Sequence, residues 1–112
     1  MRLPRAADAV IKPIKVRDYL LSSTHPLGRF KARFFLALGF SPESWQILSA
    51  ALRHHAEVGS ATELENTLYG RRFAVTGELE GPEGRKAVVV SVWIILEDED
   101  VPRFVTAFPG KP

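Results

Sequence analysis

The sequence predicts an α+β fold in which two main N-terminal helices pack on a three- to four-stranded antiparallel sheet. Three observations carry this. Apolar residues recur at helical spacing between residues 29 and 58, then switch to alternation from residue 72 onward. The alternating segments are joined by short turns rich in glycine, proline and acid, which make hairpins and not parallel crossovers. Helices first and strands second place the helices across one face of a meander.

Residues 10–15 alternate well enough for a short strand, which Pro13 would confine to a sheet edge. Residues 16–21 follow as a brief helical turn. Ser22, Ser23 and Thr24 form a polar break, and Pro26 biases His25 away from helical geometry, so its imidazole is expected on a loop. Gly28 opens a helix over residues 29–38, where Phe30, Phe34 and Leu38 recur at spacing four and define the expected core face. Lys31 falls inside that apolar arc, between Leu38 and Phe35, so its stem should run along apolar surface with the ammonium emerging at the rim; Arg29 and Arg33 point elsewhere. Gly39 supplies a stop. Ser41, Pro42 and Glu43 supply an N-cap, a first-turn proline and an acidic first turn for a second helix that runs to about residue 58. Its stripe is Trp45, Leu48, Leu52 and His55, and Gly59 ends it.

Phe73, Val75, Gly77 and Leu79 alternate with Arg72, Ala74, Thr76 and Glu78, as in a half-buried strand. Residues 80–84 form a hairpin turn. Residues 85–97 are apolar on both faces through the middle and are expected as the central strand. Residues 97–100 form a solvated acidic turn. The last strand, residues 101–108, is expected to put Phe104, Thr106 and Phe108 on one side and Arg103, Val105 and Ala107 on the other.

At 112 residues a single domain spanning 1–112 is expected, with residues 1–9 a flexible N-terminal tail. Cysteine is absent, which excludes disulfides, thiolate metal sites and a cysteine nucleophile. No apolar run approaches a membrane span, and the basic start lacks a following apolar core of the signal-peptide kind, so a cytoplasmic setting is expected. The net charge of +2 conceals an asymmetry. Residues 1–56 hold nine Lys/Arg against three Asp/Glu, and residues 57–112 hold six against ten. A basic first half suits a polyanion; ordinary solvated surface is the plainer reading.

Chemistry concentrates in residues 25–35, His-Pro-Leu-Gly-Arg-Phe-Lys-Ala-Arg-Phe-Phe. There an imidazole, a helix start and the cations Arg29, Lys31 and Arg33 could meet a phosphate together. His54 and His55 are adjacent and cannot share a helix face, so no metal site is expected there. The acidic run 97–100 lacks the ligand spacing and turn glycine of a calcium loop. Trp93 is placed either to stack a base or to fill the core, and Arg71 and Arg72 either to reach phosphate or to protect a sheet edge. Phosphate-loop, dinucleotide-glycine, nucleophile-elbow and zinc signatures are absent, and no cofactor is expected.

The segments 25–39 and 102–109 form a pair: His-Pro-x-Gly-x-x-Lys-Ala at the start and Thr-Ala-Phe-Pro at the end. With them the chain resembles a family of small uncharacterised bacterial domains, which in turn resembles the barnase, EndoU, colicin and RelE-like ribonuclease toxins. The resemblance implies a RelE/barnase-like fold, RNA as partner, metal-independent cleavage by the ribose 2′-hydroxyl, and a small antitoxin or immunity protein as a second partner. It further implies His25 as general base or acid, Lys31 and Arg103 stabilising the phosphorane charge, and Thr106 donating a hydrogen bond. Arg29, Arg33, Arg72 and Trp93 would bind substrate. A second acid/base residue is not obvious, and Tyr69 and His55 are candidates by elimination. The chain is less basic than RelE-like toxins usually are. Its own Met1 fits a solitary gene beside a small neutralising partner better than the end of a long secreted polypeptide.

Overall fold

Alternation of polarity becomes a long hairpin. The computed structural model describes residues 1–111, and in it β2 (Gly70–Glu80) and β3 (Lys86–Leu96) pair antiparallel along their full length, from Gly70 opposite Leu96 to Glu80 opposite Lys86. The predicted turn closes it, with the Gly81 N–H donating to the Arg85 carbonyl. β4 (Arg103–Pro109) pairs antiparallel with the other edge of β3, and β1 (Ser60–Glu63) with the free edge of β2, giving the order β1-β2-β3-β4.

The fourth strand is therefore not the one expected. Residues 10–15 contribute a single parallel bridge, Val10 to Arg103, before the chain turns into α1 (Pro13–Lys15) and a π-helical turn, Val16–Leu20. Proline at the first helical position suits a helix start and denies a strand its donor.

α2 (Arg29–Ala37) ends at Gly39, whose φ of 100° is the left-handed geometry glycine adopts freely. Ser41 Oγ accepts the Ser44 N–H in a short 3-10 turn, and α3 (Trp45–Val58) follows. Leu48, Leu52, His55 and Ala56 of α3 pack on Phe73, Val75 and Leu79 of β2 and on Val89 and Trp93 of β3. Among the described residues, no helix is long and apolar enough to cross a membrane.

Three further expectations are corrected. Residues 1–9 are not a free tail. Leu3, Ala6 and Ala9 are buried, the Ala61 N–H donates to the Met1 carbonyl, and Arg5 pairs with Asp100 at 2.6 Å. The stripe of α2 is rotated as well: Phe30 is 70% exposed, while Ala32 and Phe35 are fully buried. The reason lies one turn earlier, where Gly28 must face the π-turn backbone, so the inward arc runs Gly28, Lys31/Ala32, Phe35, Leu38. Finally, β4 carries a bulge. Trp93 faces Phe104 but Val92 faces Thr106, which leaves Val105 as the extra residue and sends both Phe104 and Ala107 to the core.

A polar chain runs through this core. Trp93 Nε1–H donates to Ser91 Oγ at 2.8 Å, and Ser91 Oγ lies 3.0 Å from His55 Nδ1. His55 Nε2 faces the carbonyls of Val89 and Gly77 at 2.9 and 3.2 Å. Two carbonyls at Nε2 require the proton there, so Nδ1 accepts from the serine and every group is satisfied. Burial holds His55 below the ordinary imidazole range, against the opposing pull of the two carbonyls. The unfolded chain therefore takes up a proton below about pH 6.5 that the folded chain refuses, and stability present above that pH is lost as the pH falls. We expect urea unfolding to lose up to about 1.4 kcal/mol per pH unit from this group. In His55→Gln, which keeps a neutral polar side chain, that part of the slope should vanish; equal slopes in the two proteins would contradict it.

Candidate active site

The π-helical turn Val16–Leu20 presents Tyr19, half-buried, at the open side of the β4 edge. Such wide turns are rare and often accompany function. Gly28 lets α2 close onto it: a Cβ there would lie 2.2 Å from the Tyr19 carbonyl oxygen and 3.0 Å from Tyr19 Cδ1. The same turn positions His25. Its Nδ1 accepts the N–H groups of Leu27 and Gly28, both at 3.0 Å, and its ring meets the Tyr19 ring edge-on with centroids 5.0 Å apart. Because both partners of Nδ1 are donors, Nε2 carries the proton and is the nitrogen left to contact a ligand.

One turn further along α2, Lys31 reaches inward. Its Nζ donates to Tyr19 Oη and to Thr106 Oγ1, each at 2.8 Å, and those two hydroxyls stand 3.5 Å apart. The β4 bulge falls immediately before Thr106. An ammonium has three N–H groups, so one remains for an incoming acceptor. Among the described residues Lys31 has no carboxylate within ion-pair distance, and its half-buried charge is met by two neutral hydroxyls.

Tyr19 responds to this setting. Burial pushes its phenol up, but hydrogen bonds from Lys31 and Thr106, and the charges of Lys31 and Lys15, together hold it below the ordinary value. Lys15 Nζ lies 6.0 Å from the ring centroid and Lys31 Nζ 5.3 Å. A phenol easier to ionise than usual, beside a cation and a hydroxyl, can move a proton and stabilise an anion at one point.

Of the residues the sequence nominates, Lys31 and Thr106 meet directly, and His25 joins them through Tyr19. Arg103 does not hydrogen-bond to them, because its guanidinium is bound two-pronged to Glu99 at 2.7 and 2.8 Å. Arg29 and Arg33 are exposed and line a separate groove with Ser23, Phe30 and Leu36. Arg72 is half-buried on β2 opposite Ile94, away from the cluster. Trp93 is fully buried, packs edge-on against Phe104 and spends its N–H on Ser91, which corrects the base-stacking role. Tyr69 is 73% exposed on a loop, and His55 belongs to the core. The residue the sequence does not nominate is Tyr19. Its sole signal is a tyrosine in a short helical turn just before the His25 loop.

The fold and this cluster define a class: an α+β domain that gathers a lysine, a tyrosine and a threonine, with a histidine alongside, at a sheet edge. The chain belongs to the family described as Domain of unknown function (DUF6883), whose model matches residues 2–111. Its structure is similar to a chain of a contact-dependent growth inhibition toxin–immunity protein complex from Klebsiella pneumoniae 342. The TM-score is 0.69 at 19% identity, over 96% of this chain and 97% of that one, a likeness of fold. No curated protein matches the sequence.

Proposed function

We propose that this protein is a toxin-like, metal-independent ribonuclease, the toxin half of a toxin–antitoxin or toxin–immunity pair. The observation that carries the reading is Lys31, an ammonium with no carboxylate partner among the described residues, held at 2.8 Å from two hydroxyls with a donor to spare. That arrangement suits a phosphodiester. The likeness in fold to a chain of a toxin–immunity complex supports it, as does the basic first half of the sequence.

In the reaction the ribose 2′-oxygen attacks phosphorus, its proton passes to Tyr19 Oη while the phenol's own proton passes through water to the 5′-oxygen, and the bond from that oxygen to phosphorus breaks. Lys31 and Thr106 donate to the phosphorane oxygens, where charge develops. His25 contributes its Nε2–H as a further donor. Its only lone pair is committed to Leu27 and Gly28, so proton abstraction falls to Tyr19.

A second reading, a partner-binding domain of the same fold without catalysis, is favoured by one feature. The outer side of α2 shows Phe30 and Leu36 between Arg29 and Arg33, a mixture common at protein interfaces. Expression of the wild type separates the two. Growth arrest, with cellular RNA cut to 2′,3′-cyclic phosphate ends in lysate containing EDTA, is the expected result; intact RNA under strong expression would leave only the binding domain.

A further inference from the structure

Beside the Tyr19 cluster lies a concavity that the reaction above does not use. It is a cleft of about 210 Å³ between the Val10 bridge and the bulged part of β4. Val10, Ile94 and Val105 form an apolar floor, and Lys12, Lys15 and Arg103 the rim. The bridge itself is firm, because the Val10 N–H donates to the Pro102 carbonyl and the Phe104 N–H to the Val10 carbonyl, both at 2.9 Å.

Two of its three cations lack an ion-pair partner among the described residues, as do Arg29 and Arg33 on the outer side of α2. Arg5, Arg17, Arg71, Arg85 and Lys86 all have carboxylate partners within 4 Å. Lys12 and Lys15 have none among the described residues, although Lys12 stands near enough to Glu99 to lower its carboxyl, after the larger effect of Arg103. Arg103 is fixed by Glu99 through Nε and Nη2, which holds the guanidinium rigid at the rim and leaves Nη1 without a partner among the described residues. Unpaired lysines above an apolar floor match a ligand that is flat and apolar on one side and anionic on the other. A nucleotide has that chemistry.

Continuity with the candidate active site gives the direction. Lys15 lines the cleft and also stands 6.0 Å from the Tyr19 ring, and the bulge residue Val105 of the floor immediately precedes Thr106. We infer that the cleft is a subsite for the nucleotide flanking the scissile phosphodiester. Its base or ribose would lie on Val10, Ile94 and Val105, and its phosphate between Lys12 and Lys15. The substrate is then a single-stranded segment of at least two nucleotides. This rests on the ribonuclease reading for its biological meaning, but not for its measurement.

The probe is a short single-stranded oligodeoxynucleotide, which lacks the attacking hydroxyl and cannot be cleaved by this route, titrated at several salt concentrations. The wild type should bind it with an affinity that falls as salt rises. Lys12→Ala with Lys15→Ala should weaken binding on the order of tenfold and shrink the log–log salt slope by about 0.7, the single-strand value for the one phosphate no longer neutralised. Lys12→Ala alone, at an exposed residue outside the Tyr19 cluster, should take roughly half of that slope change. Inorganic phosphate serves as the second probe. Its binding at the Tyr19 cluster should be weakened by Lys31→Met. No binding of the oligonucleotide by the wild type, or an unchanged affinity and slope in the double variant, would overturn the subsite. If that happened while the wild type still cut RNA, the ribonuclease reading would stand. Lysine-dependent binding without cleavage would keep the subsite and remove the catalysis.

Discussion

Lys31→Met is expected to abolish RNA cleavage while the protein stays folded, with a loss on the order of 10²- to 10³-fold, the scale for removing one well-placed donor to a developing oxyanion. Methionine fills the same apolar channel along the stem, so the packing of α2 is largely kept and circular dichroism and the urea midpoint should change little. The charge is what disappears, and it supports two things together. It leaves the phosphorane with fewer donors, and it removes both the hydrogen bond and the field that hold Tyr19 low against the upward push of burial. The second effect is visible without any substrate. In a Tyr69→Phe background Tyr19 is the only tyrosine, and its ionisation can be followed by phenolate absorbance. It should titrate below about 10, the ordinary phenol value, and move upward when Lys31→Met is added. An unmoved titration would mean that the lysine and the phenol are not coupled as the geometry has them.

The low phenol value is not a device for stability. A group whose folded value is depressed stabilises the fold fully only above its unfolded value, here about pH 10, and that share is lost as pH falls through the folded value. At neutral pH the linkage supplies almost nothing to folding. What remains is a proton acceptor poised closer to working pH than a free tyrosine, which is of use to a reaction.

The elements that are legible in the sequence are those whose pattern belongs to one segment. Period two runs through Phe73, Val75 and Leu79, and the doubly apolar run of β3 is unbroken, so the hairpin and its central position follow from the residues alone. Lys31 is legible for the same reason, since a helical wheel places it in the apolar arc whatever α2 packs against. β1 is not. It has four residues, of which Ala61 is the buried one, and such a pattern is indistinguishable from loop. The bulge in β4 is invisible because it belongs to the register between two strands; Phe104, Thr106 and Phe108 still alternate perfectly within their own. Tyr19 is hidden by distance. It meets Thr106 across 87 positions of sequence, and only the closure of α2 on the π turn brings it there. The burial of Leu3, Ala6 and Ala9 shows as apolar residues at spacing three, too short a pattern to separate from a tail.

That closure is the subject of the strongest stability effect expected here. Gly28→Ala should destabilise the protein by about 3 kcal/mol, at the upper end for adding a methyl where there is no room. The backbone at Gly28 has φ of −84°, which alanine adopts readily, so no conformational strain is involved and the whole effect is steric. The new Cβ would sit 2.2 Å from the Tyr19 carbonyl oxygen and 2.9 Å from its carbon, and α2 can relieve this only by backing away from the π turn. Retreat has chemical consequences. The Gly28 N–H leaves His25 Nδ1, and Lys31, one turn along the same helix, withdraws from Tyr19 and Thr106. Cleavage should therefore fall by more than the unfolded fraction accounts for, when both are measured well below the melting temperature. Gly84→Ala is the matching control: its φ of 90° carries left-handed strain, but the added methyl meets open space. It should cost about 1 kcal/mol and leave cleavage intact. Because the clash at Gly28 is with the Tyr19 backbone, trimming the ring cannot relieve it, and Tyr19→Ala with Gly28→Ala should be at least as destabilised as the glycine variant alone. Recovery of stability in that double variant, or a Gly28→Ala protein within about 0.5 kcal/mol of wild type, which is the range of substitutions that touch nothing, would show that α2 does not rest on the π turn at this point.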